Sequence, residues 1–276
     1  PMNHAFGIDW AFWSPLVIGA WALLMVALER AFPYDRRQRL FREGFVIDMF
    51  LYTFAQSYVL GLVIAKIIEG LERLGGGRLH AVSGWPVWAQ VAFFFVTHDL
   101  YIYLFHRLQH KNRWLWRTHE AHHSGHDVDW LSGSRSHPLE ILVNQTVEYA
   151  PIVLLGAHPE VALVKGVIDA TWGMFIHSNL DVRLGVLQYV VNGPEMHRWH
   201  HSSDEGLGPE NKGVNFATKL AIWDWMFGTA FLPSGRKPDG YGIYGNPEFP
   251  KGYLGQLVHA FRPFPRASVD VKKAAE

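Results

Sequence analysis

The sequence predicts an all-α integral membrane protein with about three full transmembrane helices plus a shorter helical hairpin, under a cytoplasmic histidine-rich helical cap. Three observations carry this. Long apolar blocks alternate with charged segments through the first 105 residues. Arginine and lysine gather beyond one set of block ends. Histidines recur in three clusters, at the spacing that puts side chains on one face of a helix.

The 276 residues are expected to form a single membrane-embedded domain. Hydrophobic residues make up 49 % of the chain, yet the mean hydropathy is only +0.01, because the charges are collected between the blocks. Lys plus Arg (25) balance Asp plus Glu (25), so no basic surface speaks for a nucleic-acid partner. Cysteine is absent, which excludes disulfides, thiolate zinc sites and cysteine-ligated clusters.

The first block, about residues 10–28 (WAFWSPLVIGAWALLMVAL), carries no charge and is long enough to cross a ~30 Å hydrocarbon layer. It lacks a basic leader and a small-residue cleavage site, so a cleaved signal is the poorer reading. Arg30, Arg36, Arg37, Arg39 and Arg42 follow, and such a loop belongs on the cytoplasmic side. The second block, about 45–68, runs outward, with Asp48 near its inner end and Lys66 near its outer end. Gly75, Gly76 and Gly77 read as an external turn. The third block, about 86–105, runs inward and delivers His106 to a boundary marked by Arg107, Lys111, Arg113 and Arg117. Two shorter apolar stretches, 139–157 and 161–176, read as a hairpin that returns His177 to the side where it began. The cap is expected from 106–138 and 177–276, with an amphipathic piece at 252–264 suited to the membrane interface.

The chemistry lies in the histidines. HRLQH holds His106 and His110, HEAHH holds His119, His122 and His123, and HRWHH holds His197, His200 and His201. Each box can aim two or three imidazole nitrogens at a common point. One metal rarely takes more than ~4 imidazoles, so eight imply two metals, and iron suits both imidazole and dioxygen chemistry. A zinc carrier is the reading from another class. A carrier would set its ligands near the bilayer midplane on broken helices, whereas these boxes lie in Arg- and Trp-rich segments past the block ends.

The three boxes resemble those of the fatty acid hydroxylase/sterol desaturase superfamily. The surroundings are similar too: Arg135, His137, Pro138 and Glu140 resemble its RxHPxE element. His177, Ser178 and Asn179 resemble its HSN element, and Trp223, Asp224, Phe227, Gly228 and Thr229 its WDxxFGT element. The likeness covers about residues 94–231. It implies few membrane helices under a histidine-rich cap and two irons as cofactor. O2 is then a co-substrate, and the activity a monooxygenase that hydroxylates a fatty acyl, sterol, hopanoid or related lipid. Desaturation at the same site is the alternative. Carried over by motif, the eight box histidines are expected metal ligands, joined by His177 and His137. No cytochrome b5-like segment stands in the first third, so electrons are expected from a separate cytochrome b5- or ferredoxin-type protein with its reductase. The chain's economy suits a bacterial inner-membrane protein. Where the family has an NYG-like segment, this chain has Asn215, Phe216 and Ala217, which puts the local turn in question.

Overall fold

The computed structural model describes residues 4–74, 79–204, 207, 213–243 and 249–263. Among them the fold is all-helical, with two isolated β-bridges, Pro33–Leu180 and Ser202–Tyr241, and no strand. Three helices are long and apolar enough to cross a membrane: α1 (Trp10–Ala31), α2 (Ile47–Leu74) and α3 (Val87–Lys111). All three overrun the apolar blocks that predict them, because a helix ends at a cap and not where hydropathy falls. Asp9 caps α1 by accepting from Phe12 N, and Asn112 both ends α3 and caps the next helix. The outward faces of α1 and α2 stay apolar and exposed, at Phe12, Leu16 and Leu23 and at Phe54, Tyr58 and Leu62, as lipid contact requires. The expected glycine turn at 75–77 lies outside the described residues.

The first ten residues of α2, Ile47–Gln56, wind as a π-helix. Two hydroxyls bond carbonyls five residues back within this wider winding: Thr53 Oγ1 to Asp48 O at 2.8 Å and Ser57 Oγ to Tyr52 O at 3.1 Å. Asp48 is not solvated at a boundary. It is buried and accepts from Arg42 and Arg135, each at 2.8 Å, while Arg42 also forks onto Asp129 at 2.8 Å. This ion network ties the 30–42 segment, α2 and the 124–137 segment into one unit. Arg42, read from the sequence only as one of the arginines of a cytoplasmic loop, is therefore also structural.

The hairpin is α5 (Pro138–Leu154) and α6 (Val161–His177). Each has 17 residues, about 25 Å, which is short of a comfortable crossing. Gly156 at its tip has φ +74°, and a Cβ there would lie 3.0 Å from His80 Cα, so the turn needs both the left-handed backbone and the missing side chain. Helix α6 packs against α1, α5 against α2, and α3 lies against both α5 and α6. Val82, Phe94, Ile152, Ala157 and Val161 fill the end near the tip. Met25, Trp130, Leu131 and Leu180 fill the other end, where α4 (Arg113–His123), α7 (Pro194–His200) and α8 (Ile222–Met226) gather. Helix α9 (Tyr253–His259) forms within the amphipathic stretch and reaches the core through Gln256, whose Oε1 accepts from Tyr52 OH at 2.6 Å.

Candidate metal centre

Helix α3 carries His106 and His110, α4 His119, His122 and His123, the last residue of α6 is His177, and α7 carries His197 and His200, with His201 just beyond it. Their nitrogens converge in two abutting groups. His106, His110, His119, His123 and His200 form one; His122, His177, His197 and His201 form the other. His123 and His201, one from each, have ring centroids 4.5 Å apart.

The boxes do not each serve one point. In both HxxHH boxes the first and last histidines share a group and the middle one crosses to the other: His119 and His123 against His122, His197 and His201 against His200. The helix dictates this. At ~100° per residue, positions i and i+4 lie ~40° apart, whereas i+3 and i+4 lie ~100° apart. A pair therefore faces one point and the third ring faces the point beside it.

Five of the nine rings are held by a bond at Nδ1 with Nε2 turned inward. His106 Nδ1 donates to Phe216 O at 2.7 Å, His122 Nδ1 to Arg135 O at 3.1 Å, His177 Nδ1 to Gly173 O at 2.8 Å and His200 Nδ1 to Val214 O at 2.8 Å. His119 Nδ1 donates to Glu140 Oε1 at 3.0 Å. A carbonyl or carboxylate at Nδ1 fixes the proton there and leaves Nε2 as a lone pair. Yet His106 Nε2 lies 3.0 Å from His119 Nε2, and His122 Nε2 lies 3.3 Å from His177 Nε2. Two lone pairs at that distance repel unless a cation stands between them. Nitrogens bound ~2.0–2.1 Å from one ion stand about 3 Å apart, so the donor set fits a metal in each group. His110 has both ring nitrogens buried without a hydrogen-bond partner, and so have His123 and His200 at Nε2. Burial and the neighbouring imidazoles hold His122, His123, His197 and His201 well below the usual histidine range, and burial takes His200 down to about 3. Neutral rings of this kind are the ligating form.

Local packing serves these positions. A Cβ on Gly133 would lie 2.6 Å from His177 Nδ1, so only glycine lets that ring sit where it does. Asp224 touches no imidazole. It accepts from Phe216 N and Ala217 N, each at 2.9 Å, and so holds the turn whose Phe216 carbonyl takes the His106 proton. In that turn Asn215 has the positive φ, 53°, so alanine at 217 is accommodated. His98 lies in neither group; its Nδ1 is 2.8 Å from Lys165 Nζ. His137, expected among the ligands, also stands apart. Its Nδ1 accepts from Leu139 N at 3.1 Å and its Nε2 donates to Leu257 O at 3.2 Å, the arrangement of a helix cap ahead of Pro138. Glu140, read only as part of a motif, proves to be the carboxylate that orients His119.

The sequence model of the family described as fatty acid hydroxylase matches residues 91–229, which holds every histidine of both groups. The chain belongs to the fatty acid hydroxylase family. It is 35 % identical over 192 residues to ornithine lipid hydroxylase OlsE of Rhizobium tropici, covering 70 % of this chain and 56 % of that protein. Alkylglycerol monooxygenase of Danio rerio is 35 % identical over 155 residues, 56 % of this chain and 32 % of that protein. Methylsterol monooxygenase 1 of Rattus norvegicus is 29 % identical over 136 residues, 49 % and 44 % respectively. The chain thus spans about half, or less, of the length of these relatives. No solved structure matches it.

Proposed function

We propose that the protein is a membrane-embedded, O2-dependent di-iron hydroxylase of a lipid, with the nine clustered histidines as its metal ligands. The observation that carries this is the pair of abutting imidazole groups whose inward lone pairs call for two cations. The three relatives, named as hydroxylase or monooxygenases of lipids, support the same reading and speak against a zinc carrier. Two irons so held supply the oxidising chemistry, driven by O2 and an external electron donor. The chain's own part is positional. Backbone carbonyls and Glu140 keep the Nδ1 protons outward, the packed rings exclude water, and a cavity beside His106, His119, His122, His177 and His197 admits the substrate. Desaturation remains the alternative outcome at the same centre. The test is direct. Purified protein should hold about two metal ions per chain and, loaded with iron, consume O2 with a reductant and lipid. Metal-replete protein inert to O2 across fatty acyl, sterol and aminolipid substrates would overturn it. Zinc in place of iron would keep the ligand set and abolish turnover, since affinity alone does not select iron.

His177 offers a separate check, because it lies outside the three boxes. Both His177→Ala and His177→Gln should lower metal content and activity together. Full metal content and turnover in the glutamine variant would make His177 a hydrogen-bonding group only.

Orientation is also a proposal: the histidine end faces the cytoplasm and the hairpin tip the other side. Ser202 is buried, so the exposed Ser234 serves as the reporter for the histidine end, with Ser83 for the opposite one. In the cysteine-free chain a Cys at Ser83 should react with an impermeant thiol reagent on intact cells, and a Cys at Ser234 should not. The reverse pattern would invert the topology.

A further inference from the structure

Two short elements at the histidine end carry exposed apolar side chains. The 3-10 helix Gly185–Tyr189 and the residue after it expose Val186, Leu187, Tyr189 and Val190. Helix α8 and the residue after it expose Met226 and Phe227. Val186 is 80 % exposed and Met226 63 %. The two elements form one surface: Ile222 N donates to Val190 O at 3.4 Å, Trp225 Nε1 donates to Gln188 O at 2.9 Å, and the rings of Tyr189 and Trp225 lie 4.7 Å apart. Residues 184–194 carry no charge, and between Lys219 and Arg236 the one charge is Asp224, which is fully buried. A contiguous apolar surface of this kind marks a contact.

Its depth says what the contact is. Asp99 stands seven residues before His106 on α3, about 10 Å further from the histidine end. It is fully buried and accepts from Thr218 Oγ1 at 3.1 Å, Lys219 N at 3.2 Å, Leu220 N at 3.0 Å and Trp223 Nε1 at 2.9 Å. The loop that enters α8 is thereby tied to the side of a membrane-spanning helix, well short of the Lys111 and Arg113 that mark its end. Phe227 then stacks on Tyr103 with centroids 5.3 Å apart, and on α3 itself Leu104 and Leu108 are exposed in the next turns. The polar groups of the two elements turn inward. Both indoles donate within the chain, Gln188 Nε2 donates to Gly185 O at 3.3 Å, and Asn192 N donates to Lys219 O at 2.8 Å. Hydrocarbon demands such internal pairing, whereas a protein partner is met by a polar rim.

We propose that the 3-10 helix Gly185–Tyr189 and α8 are embedded in the lipid leaflet at the histidine end, as an interfacial anchor beside α3. Tyr189 and Trp225 suit the boundary between headgroups and acyl chains, and Val186, Leu187 and Met226 reach the hydrocarbon. Thr218 and Lys219, in the loop that Asp99 holds, also line the cavity under the histidines, so the embedded wall and the cavity share a depth. The anchor does not depend on which reaction the metal centre performs.

Site-directed spin labelling of the full chain in lipid nanodiscs tests it, because the sequence has no cysteine of its own. Leu187→Cys and Met226→Cys carry the nitroxide, with Leu23→Cys on the lipid face of α1 and Ser234→Cys at the exposed histidine end as references. Power saturation compares how often each nitroxide collides with O2, which concentrates in hydrocarbon, and with a water-soluble nickel chelate. The O2-to-nickel ratio at 187 and 226 should approach that at 23 and exceed that at 234 several-fold. A ratio like that of 234 at either position would place the surface in water. Low collision with both reagents would place it against protein, as in a contact between two copies. Either result overturns the proposal. If one labelled variant fails to fold, Val186→Cys supplies another position on the same surface. Metal content of each labelled protein reports separately that the histidine end is intact.

Discussion

His106→Ala, His122→Ala and His200→Ala should each abolish turnover, with metal content falling from about two per chain toward one. His106 and His200 belong to the five-ring group and His122 to the four-ring group, so the His106 and His200 variants should empty one site and the His122 variant the other. The expected loss exceeds the ~10–100-fold that follows from removing only an outer hydrogen-bond partner of a metal ligand. His137→Ala supplies the contrast. It removes a helix cap, worth about 1 kcal/mol, and should leave the metal in place. Metal content by elemental analysis of folded variants is the measurement. Full loading in any of the first three, or loss of metal in the His137 variant, would break the assignment.

Asp48→Asn should be the most destabilising single change away from the histidines. Asp48 is fully buried and takes hydrogen bonds from two guanidinium groups, Arg42 and Arg135. Neutralising it leaves buried positive charge without its counter-ion, which costs about 3–5 kcal/mol. That is a large share of a typical ~5–15 kcal/mol stability, and the thermal midpoint in detergent should fall by on the order of 10 °C. Glu69→Gln breaks exposed pairs with Lys66 and Arg73 and should shift the midpoint little, since water already solvates and screens such charges. Equal midpoints for the two variants would mean that the buried network does not hold the histidine end together. Because Arg135 O also takes the His122 proton, the same variant should loosen the four-ring group.

Much of this was legible in the chain. Span-length apolar blocks and histidines at i, i+3 and i+4 are local properties, set by hydropathy and by the turn of a helix. The three long helices, the hairpin and the eight box histidines could therefore be read without a partner in sight. Helix ends were missed by several residues because caps such as Asn112 override hydropathy. Arg42 and Asp48 looked like boundary charges, since nothing in one segment announces that Asp129 and Arg135, some ninety residues on, will meet them. His137 looked like a ligand because a histidine before proline in a histidine-rich motif has the same letters whether it binds a metal or caps a helix.

The sequence by itself determined which imidazoles could converge. Only the tertiary structure decided how they divide, sending His122 and His200 away from their own box partners and joining them to rings from other helices. It also set Glu140 behind His119, and it decided that His177, expected on this side from the sequence, meets His122 and His197. The reason is physical: spacing along a helix fixes the angle between side chains, but which side chain of another helix meets each angle depends on how the helices pack.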